Sequence, residues 1–121
     1  MNTSARIGSL TMSERNHVIQ VWIPKIVAQW IQQYQTEIGT PTRNAAVIEL
    51  IRQGFNLPVP QNYRSDHYTR GTPRERWNLY VPTPVLKQID VFKNQHQRPN
   101  RAVVIVELIH RAWTHLQTQS N

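Results

Sequence analysis

The sequence predicts a small, mostly α-helical protein that writes one β-α-α unit twice, the two halves pairing with each other. Two observations predict this. The chain matches itself when slid by 58 positions, with no gap from 17 to 55. Each copy also passes from an alternating apolar run ending in proline ("HVIQVWIP", "ERWNLYVP") to two amphipathic stretches.

The self-match lays Pro24 on Pro82, Val27 on Val85, Ile31 on Ile89, Pro41 on Pro99 and Arg43 on Arg101. It lays Glu49-Leu50-Ile51 on Glu107-Leu108-Ile109, Tyr34 on Phe92 and Phe55 on Trp113. Eight identities in 39 pairs are modest alone; the ungapped register and coincident prolines decide for a duplication. Two copies are too few for a stacked solenoid.

The first element of each copy is a strand. Ile19, Val21 and Ile23 alternate with Val18, Gln20 and Trp22, and Trp77, Leu79 and Val81 with Arg76, Asn78 and Tyr80. Period-two alternation rich in β-branched and aromatic residues is a strand signal. Pro24 and Pro82 close the strands, because proline cannot donate to a ladder but opens a helix well. The second element is a helix. Ile26, Val27, Trp30, Ile31 and Tyr34 recur at spacings of three and four, as do Val85, Leu86, Ile89 and Phe92. Gly39 stops the first copy, and "NQHQRPN" (94–100) stops the second less cleanly. The third element is a helix capped by Thr42 or Asn100. Its apolar face is Ala46, Val47, Leu50 and Ile51 in one copy and Val104, Ile105, Leu108 and Ile109 in the other. The expected organisation is a flexible arm (1–16), a first unit (17–55), a linker (56–74), a second unit (75–116) and a tail (117–121).

Composition narrows the function. The chain has 121 residues, fourteen Lys and Arg against seven Asp and Glu, a net charge of +7 and a pI near 10.6. A basic chain this small points to a polyanionic partner, nucleic acid first. With no cysteine, a disulfide framework and a thiolate metal site are excluded. His110 and His115 are five apart, not the three or four that shares a helix face. No phosphate loop, nucleophile elbow or close carboxylate pair is present. The expectation is a non-enzyme without metal or cofactor. No apolar run reaches the ~20 residues of a membrane span, and residues 1–16 lack the apolar segment of a secretory signal. A cytoplasmic, nucleoid-associated protein is expected.

A proline-ended strand, a helix, a turn and a capped helix within about 40 residues, twice in register, resemble the ribbon-helix-helix family of DNA-binding proteins, the Arc and methionine repressor class. The resemblance covers 17–55 and 75–113. It implies that the strands pair antiparallel, the four helices interlock, and one chain forms a tandem pseudo-dimer. Physics favours such pairing, since a lone strand leaves its ladder unpaired and fusion removes most of the cost of bringing the halves together.

The resemblance implies a ribbon in the major groove of double-stranded DNA. Val18, Gln20, Trp22, Arg76, Asn78 and Tyr80 would then face bases. Arg76 suits guanine and Asn78 adenine; Tyr80 suits one donated hydrogen bond or a thymine methyl; Gln20 is the standard reader of the first copy, where Val18 and Trp22 make only apolar contacts apart from the indole N–H. The two faces differ, so an asymmetric sub-site is expected. Trp22 is unusual there; the alternatives are cover by the arm or linker, or a one-residue slip that exchanges the faces. Phosphates would meet Thr40, Thr42, Arg43, Arg98, Asn100 and Arg101 around the N-termini of the second helices, although capping with a solvated arginine also explains Arg43 and Arg101. Arg64, His67 and Arg70 of the linker, and Arg6 and Arg15 of the arm, are further phosphate candidates. The implied role is a sequence-specific regulator of transcription, a repressor of the prokaryotic, phage or plasmid kind. The chain would be monomeric in solution, with two or more chains side by side on DNA. A conjugation or partition accessory protein and an antitoxin-type interaction module remain alternatives.

Overall fold

A computed structural model describes residues 16–58 and 73–120. In chain order these form β1 (Asn16–Pro24), α1 (Lys25–Ile38), α2 (Arg43–Gly54), β2 (Arg74–Pro82), α3 (Thr83–Gln95) and α4 (Arg101–Ser120). The structure is mostly helical, with one two-stranded antiparallel sheet of β1 and β2.

The alternation along each strand becomes two faces. Val21, Ile23, Trp77, Leu79 and Val81 are buried and Ile19 is half-buried, while Val18, Gln20, Trp22, Arg76, Asn78 and Tyr80 are exposed. A slipped register would have buried Gln20 and Asn78 and exposed Leu79; Leu79 is instead only 1% exposed. Each strand runs through its proline and the next residue opens a helix. Pro24 and Pro82 take φ −58° and −61° with extended ψ, the entry that a proline ring presets. The Lys25 N–H donates to the Pro73 carbonyl at 2.9 Å, so the residue before β2 satisfies one open donor at the start of α1.

The inner face of the sheet meets Val27, Ile31 and Tyr34 of α1 and Val85, Leu86, Ile89 and Phe92 of α3 in one apolar cluster. Ile26, expected on the core face, is 43% exposed. It lies in the first turn of α1, like its exposed repeat mate Pro84. Helices α2 and α4 complete the cluster with the eight apolar residues expected of them, all fully buried. They approach so closely at Gly54 that a Cβ there would lie 2.3 Å from the Leu108 carbonyl oxygen. Trp30 of α1 stacks on Trp113 of α4, with ring centroids 5.9 Å apart.

Gly39 ends α1 at φ +72°. Its repeat mate Gln97 takes the same left-handed conformation, at φ +56°, and the Arg98 N–H closes the end of α3 onto the Lys93 carbonyl at 2.9 Å. The less clean stop is thus the same stop made without glycine.

Four boundaries differ from the sequence expectation: β1 and β2 each open one residue early, at Asn16 and Arg74, and two further ends shift. Helix α4 continues to Ser120, through residues expected as a tail, because no glycine or proline interrupts it after Trp113. The linker's near end belongs to the fold: the Leu57 N–H bonds the Gly54 carbonyl at 3.2 Å and its own carbonyl accepts from Arg111 Nη1 at 2.7 Å. The arm apart from Asn16, and residues 59–72 with Arg64, His67 and Arg70, lie outside the described residues.

Candidate nucleic-acid interface

The sheet register puts Gln20 opposite Asn78, its own repeat mate. On either side Val18 lies opposite Tyr80, and Trp22 opposite Arg76. All six expected base-facing residues therefore share one exposed face, with an amide pair at its centre. Among the described residues the side chains of Gln20, Arg76 and Asn78 make no hydrogen bond or ion pair, so their donors and acceptors face outward. Val18, Trp22 and Tyr80 are 57%, 55% and 49% exposed, an apolar area that a soluble surface rarely groups without a partner. Arg74 adds a second exposed cation on β2.

The N-termini of α2 and α4 flank this ribbon, one at each edge. Along β2, a groove of about 420 Å³ is lined by Lys25, Gln32, Gln35, Arg43, Glu75 and Trp77. Along β1, a larger groove of about 760 Å³ is lined by Ile19, Gln20, Asp90, Lys93, Asn100 and Arg101. Trp77 lines the smaller groove where its repeat mate Ile19 lines the larger. Both expected caps are formed. Thr42 Oγ1 accepts from the Ala45 N–H at 3.1 Å, and Asn100 Oδ1 from the Val103 N–H at 2.9 Å.

The arginines beside the caps behave differently. Arg43 lies over the Trp77 ring, 3.9 Å from its centroid, a cation–π contact. Arg101 makes a two-pronged ion pair with Asp90 at 2.8 and 2.9 Å; hydrogen bonding to Arg101 is the main reason that the Asp90 carboxyl is held below its ordinary value. Arg98, expected at phosphate, turns inward. Its Nε and Nη2 donate to the fully buried Glu107 carboxylate at 2.7 and 3.1 Å. Thr40 is half-buried, and its carbonyl accepts from Gln35 Nε2 at 3.4 Å.

Two features were not read from the sequence. Asn44 reaches the edge of β2: its Oδ1 accepts from the Tyr80 N–H at 2.8 Å and its Nδ2 donates to the Tyr80 carbonyl at 3.0 Å. Glu107 is shared by Arg98 and by Arg111, whose Nη2 lies 2.9 Å away. Burial pushes the Glu107 carboxyl up, but the hydrogen bonds and charges of the two arginines outweigh it and hold the group below its ordinary value. A position two past a cap, and a nine-residue gap between Arg98 and Glu107, carry no local signal of either contact.

Among the described residues no cluster of His, Asp or Glu could hold a metal ion, and no helix is long and apolar enough to cross a membrane. The arrangement offers unpaired amide and guanidinium groups on a ribbon narrow enough for a major groove about 12 Å wide, between two helix N-termini that favour anions. No family model, curated protein or solved structure matches the chain.

Proposed function

We propose that this chain is a sequence-specific, double-stranded DNA-binding regulator of transcription that acts as a repressor, built as a tandem ribbon-helix-helix pseudo-dimer. One observation carries the reading. An exposed two-stranded ribbon bears Gln20, Asn78 and Arg76 on its outer face, with a helix N-terminus at each edge. The net charge of +7 supports it. The ribbon lies in the major groove; Arg76 takes guanine O6 and N7, Asn78 and Gln20 take adenine N6 and N7, and Val18, Trp22 and Tyr80 pack against thymine methyls. The amides of the α2 and α4 N-termini, with Thr42, Arg43, Asn100 and Arg101, meet the flanking phosphates. Arg98 is held by Glu107 and takes no part. Two chains side by side on adjacent sub-sites occupy a promoter in the cytoplasm and exclude polymerase.

Retardation of duplex DNA from upstream of its own gene tests this across a salt series. Specific binding whose log affinity falls linearly with log salt is expected. Alanine at both Arg76 and Asn78 removes sequence preference, each worth about 1–3 kcal/mol, and leaves weak non-specific binding. Preference that survives both changes refutes the reading face; failure to retard any duplex refutes the function. A preferred site at a transfer origin instead of a promoter would replace repression by the accessory role.

A further inference from the structure

The two helix N-termini beside the ribbon are fastened differently. At the β2 edge, the Asn44 side chain takes both the N–H and the carbonyl of Tyr80, as a third strand would, and Arg43 lies on Trp77 of the same strand. Helix α2 is thus tied to the ribbon at two points. Because both polar groups of the Tyr80 peptide point out of the sheet, the Val18–Tyr80 pair is of the non-hydrogen-bonded kind. Antiparallel pairs alternate, so Trp22–Arg76, four residues on, is of the same kind. The Trp22 N–H and carbonyl therefore point out of the β1 edge, towards the N-terminus of α4.

At that edge the latch is missing. The repeat mate of Asn44 is Ala102, whose side chain can neither donate nor accept. Among the described residues no hydrogen bond to the Trp22 peptide takes its place. The mate of Arg43, Arg101, pairs with Asp90 on α3 and not with the strand. Helix α4 begins tied to its neighbouring helix, and the groove bounded by β1, α3 and the start of α4 has the larger volume of the two.

We propose that Asn44 is a positioning residue that joins the α2 N-terminus to the ribbon as one rigid unit, so that a DNA sub-site is gripped at a preset distance on the β2 flank and at an adjustable one on the β1 flank. The proposal rests on the duplex-DNA reading. A contact held in place before binding loses less freedom on binding, so the β2 flank contributes the larger share of phosphate affinity.

Amide exchange on the free protein and phosphate-ethylation interference on the bound duplex test it together, with Asn44→Ala and Ala102→Asn in the full chain. The Tyr80 amide should be protected and the Trp22 amide should exchange readily. Asn44→Ala should expose Tyr80, and Ala102→Asn should protect Trp22. On DNA, Asn44→Ala should weaken binding about tenfold, the scale of one or two hydrogen bonds, and erase interference on one flank only. Ala102→Asn should strengthen the other flank. Equal loss on both flanks, unchanged binding, or a Tyr80 amide indifferent to Asn44→Ala overturns the positioning role while the DNA reading stands. A wild-type chain that binds no duplex overturns both; if Tyr80 still responds to Asn44→Ala, the fault lies in the DNA reading.

Discussion

The two copies of the unit treat the same glutamate in opposite ways. Glu49 sits exposed on α2, accepting from Gln53 at 3.2 Å. Its mate Glu107 is fully buried on α4 between Arg98 and Arg111. What differs is the company: Thr40 and Gln53 occupy the places that Arg98 and Arg111 hold in the second copy. A carboxylate enters a core only with opposite charges and hydrogen bonds that offset its lost hydration, and only the second copy supplies both guanidinium groups. Arg111 then reaches Leu57, just past the first copy. In the first copy Gln53 instead donates to the Tyr34 hydroxyl at 3.0 Å, a bond within one half. The buried carboxylate thus lets the second copy add a tie between the halves, from Arg111 to Leu57, beside those that Asn44 and Arg43 of the first copy make to β2.

Glu107→Ala breaks this comparison most severely. It leaves the 6%-exposed Arg111 side chain buried without its carboxylate, an error that costs about 3–5 kcal/mol. Glu49→Ala should stay within about 0.5 kcal/mol of wild type. Urea unfolding of the two variants measures the contrast, and equal losses would mean that the buried network contributes nothing of its own. Acid gives a second measurement. The Glu107 carboxyl lies below its ordinary value of 4.5 in the fold, so its contribution is complete above that pH and disappears as pH falls through the lowered value. Asp90 acts in the same direction from its ordinary 3.8. Thermal unfolding from pH 7 to pH 2.5 should therefore show stability falling below about pH 4.5. Glu107→Gln should flatten that fall while leaving the share due to Asp90.

The next contrast is Gly54 against Ala112. A methyl group at Gly54 meets the Leu108 backbone, which no side-chain rotation can clear. Gly54→Ala should cost about 1–3 kcal/mol through forced separation of α2 and α4, even though alanine is the better helix former. Ala112 is fully buried, yet it holds a Cβ in the corresponding place. The two positions are therefore not equivalent, and a stabilised Gly54→Ala variant would show that the close approach relaxes freely.

Strands, caps and helix faces were legible because each depends on neighbours within about four positions. Alternation gave the two faces of β1 and β2, and Thr42 and Asn100 announced the starts of α2 and α4. The misses depend on distant partners. Glu107 looks like a solvated charge interrupting an apolar face until Arg98 and Arg111 are placed around it. Asn44 looks like an ordinary first-turn residue until Tyr80 is beside it. Ile26 satisfied the helical spacing, but spacing does not say where the sheet ends. Of the expected phosphate set, Arg98 makes an ion pair with Glu107 that no local pattern announces, because it spans a turn and two turns of helix.

The smallest contrast is the helix stop. Gly39 and Gln97 hold the same left-handed backbone, at φ +72° and +56°, but only glycine does so without a Cβ meeting the following carbonyl. Gln97 is exposed, and its own amide makes only a 3.4 Å bond to the Asn94 carbonyl, a bond that glycine would keep. Gln97→Gly should therefore stabilise the fold by about 1 kcal/mol, the relief of a left-handed L-residue less the extra freedom of glycine in the unfolded chain. Gly39→Gln should cost a similar amount, although open space surrounds the position, because the penalty is in the backbone and not in packing. Opposite signs in urea unfolding would place the difference between the two stops in φ alone. Equal signs would mean that the Gln97 side chain does something for the α3 terminus that its exposure does not suggest.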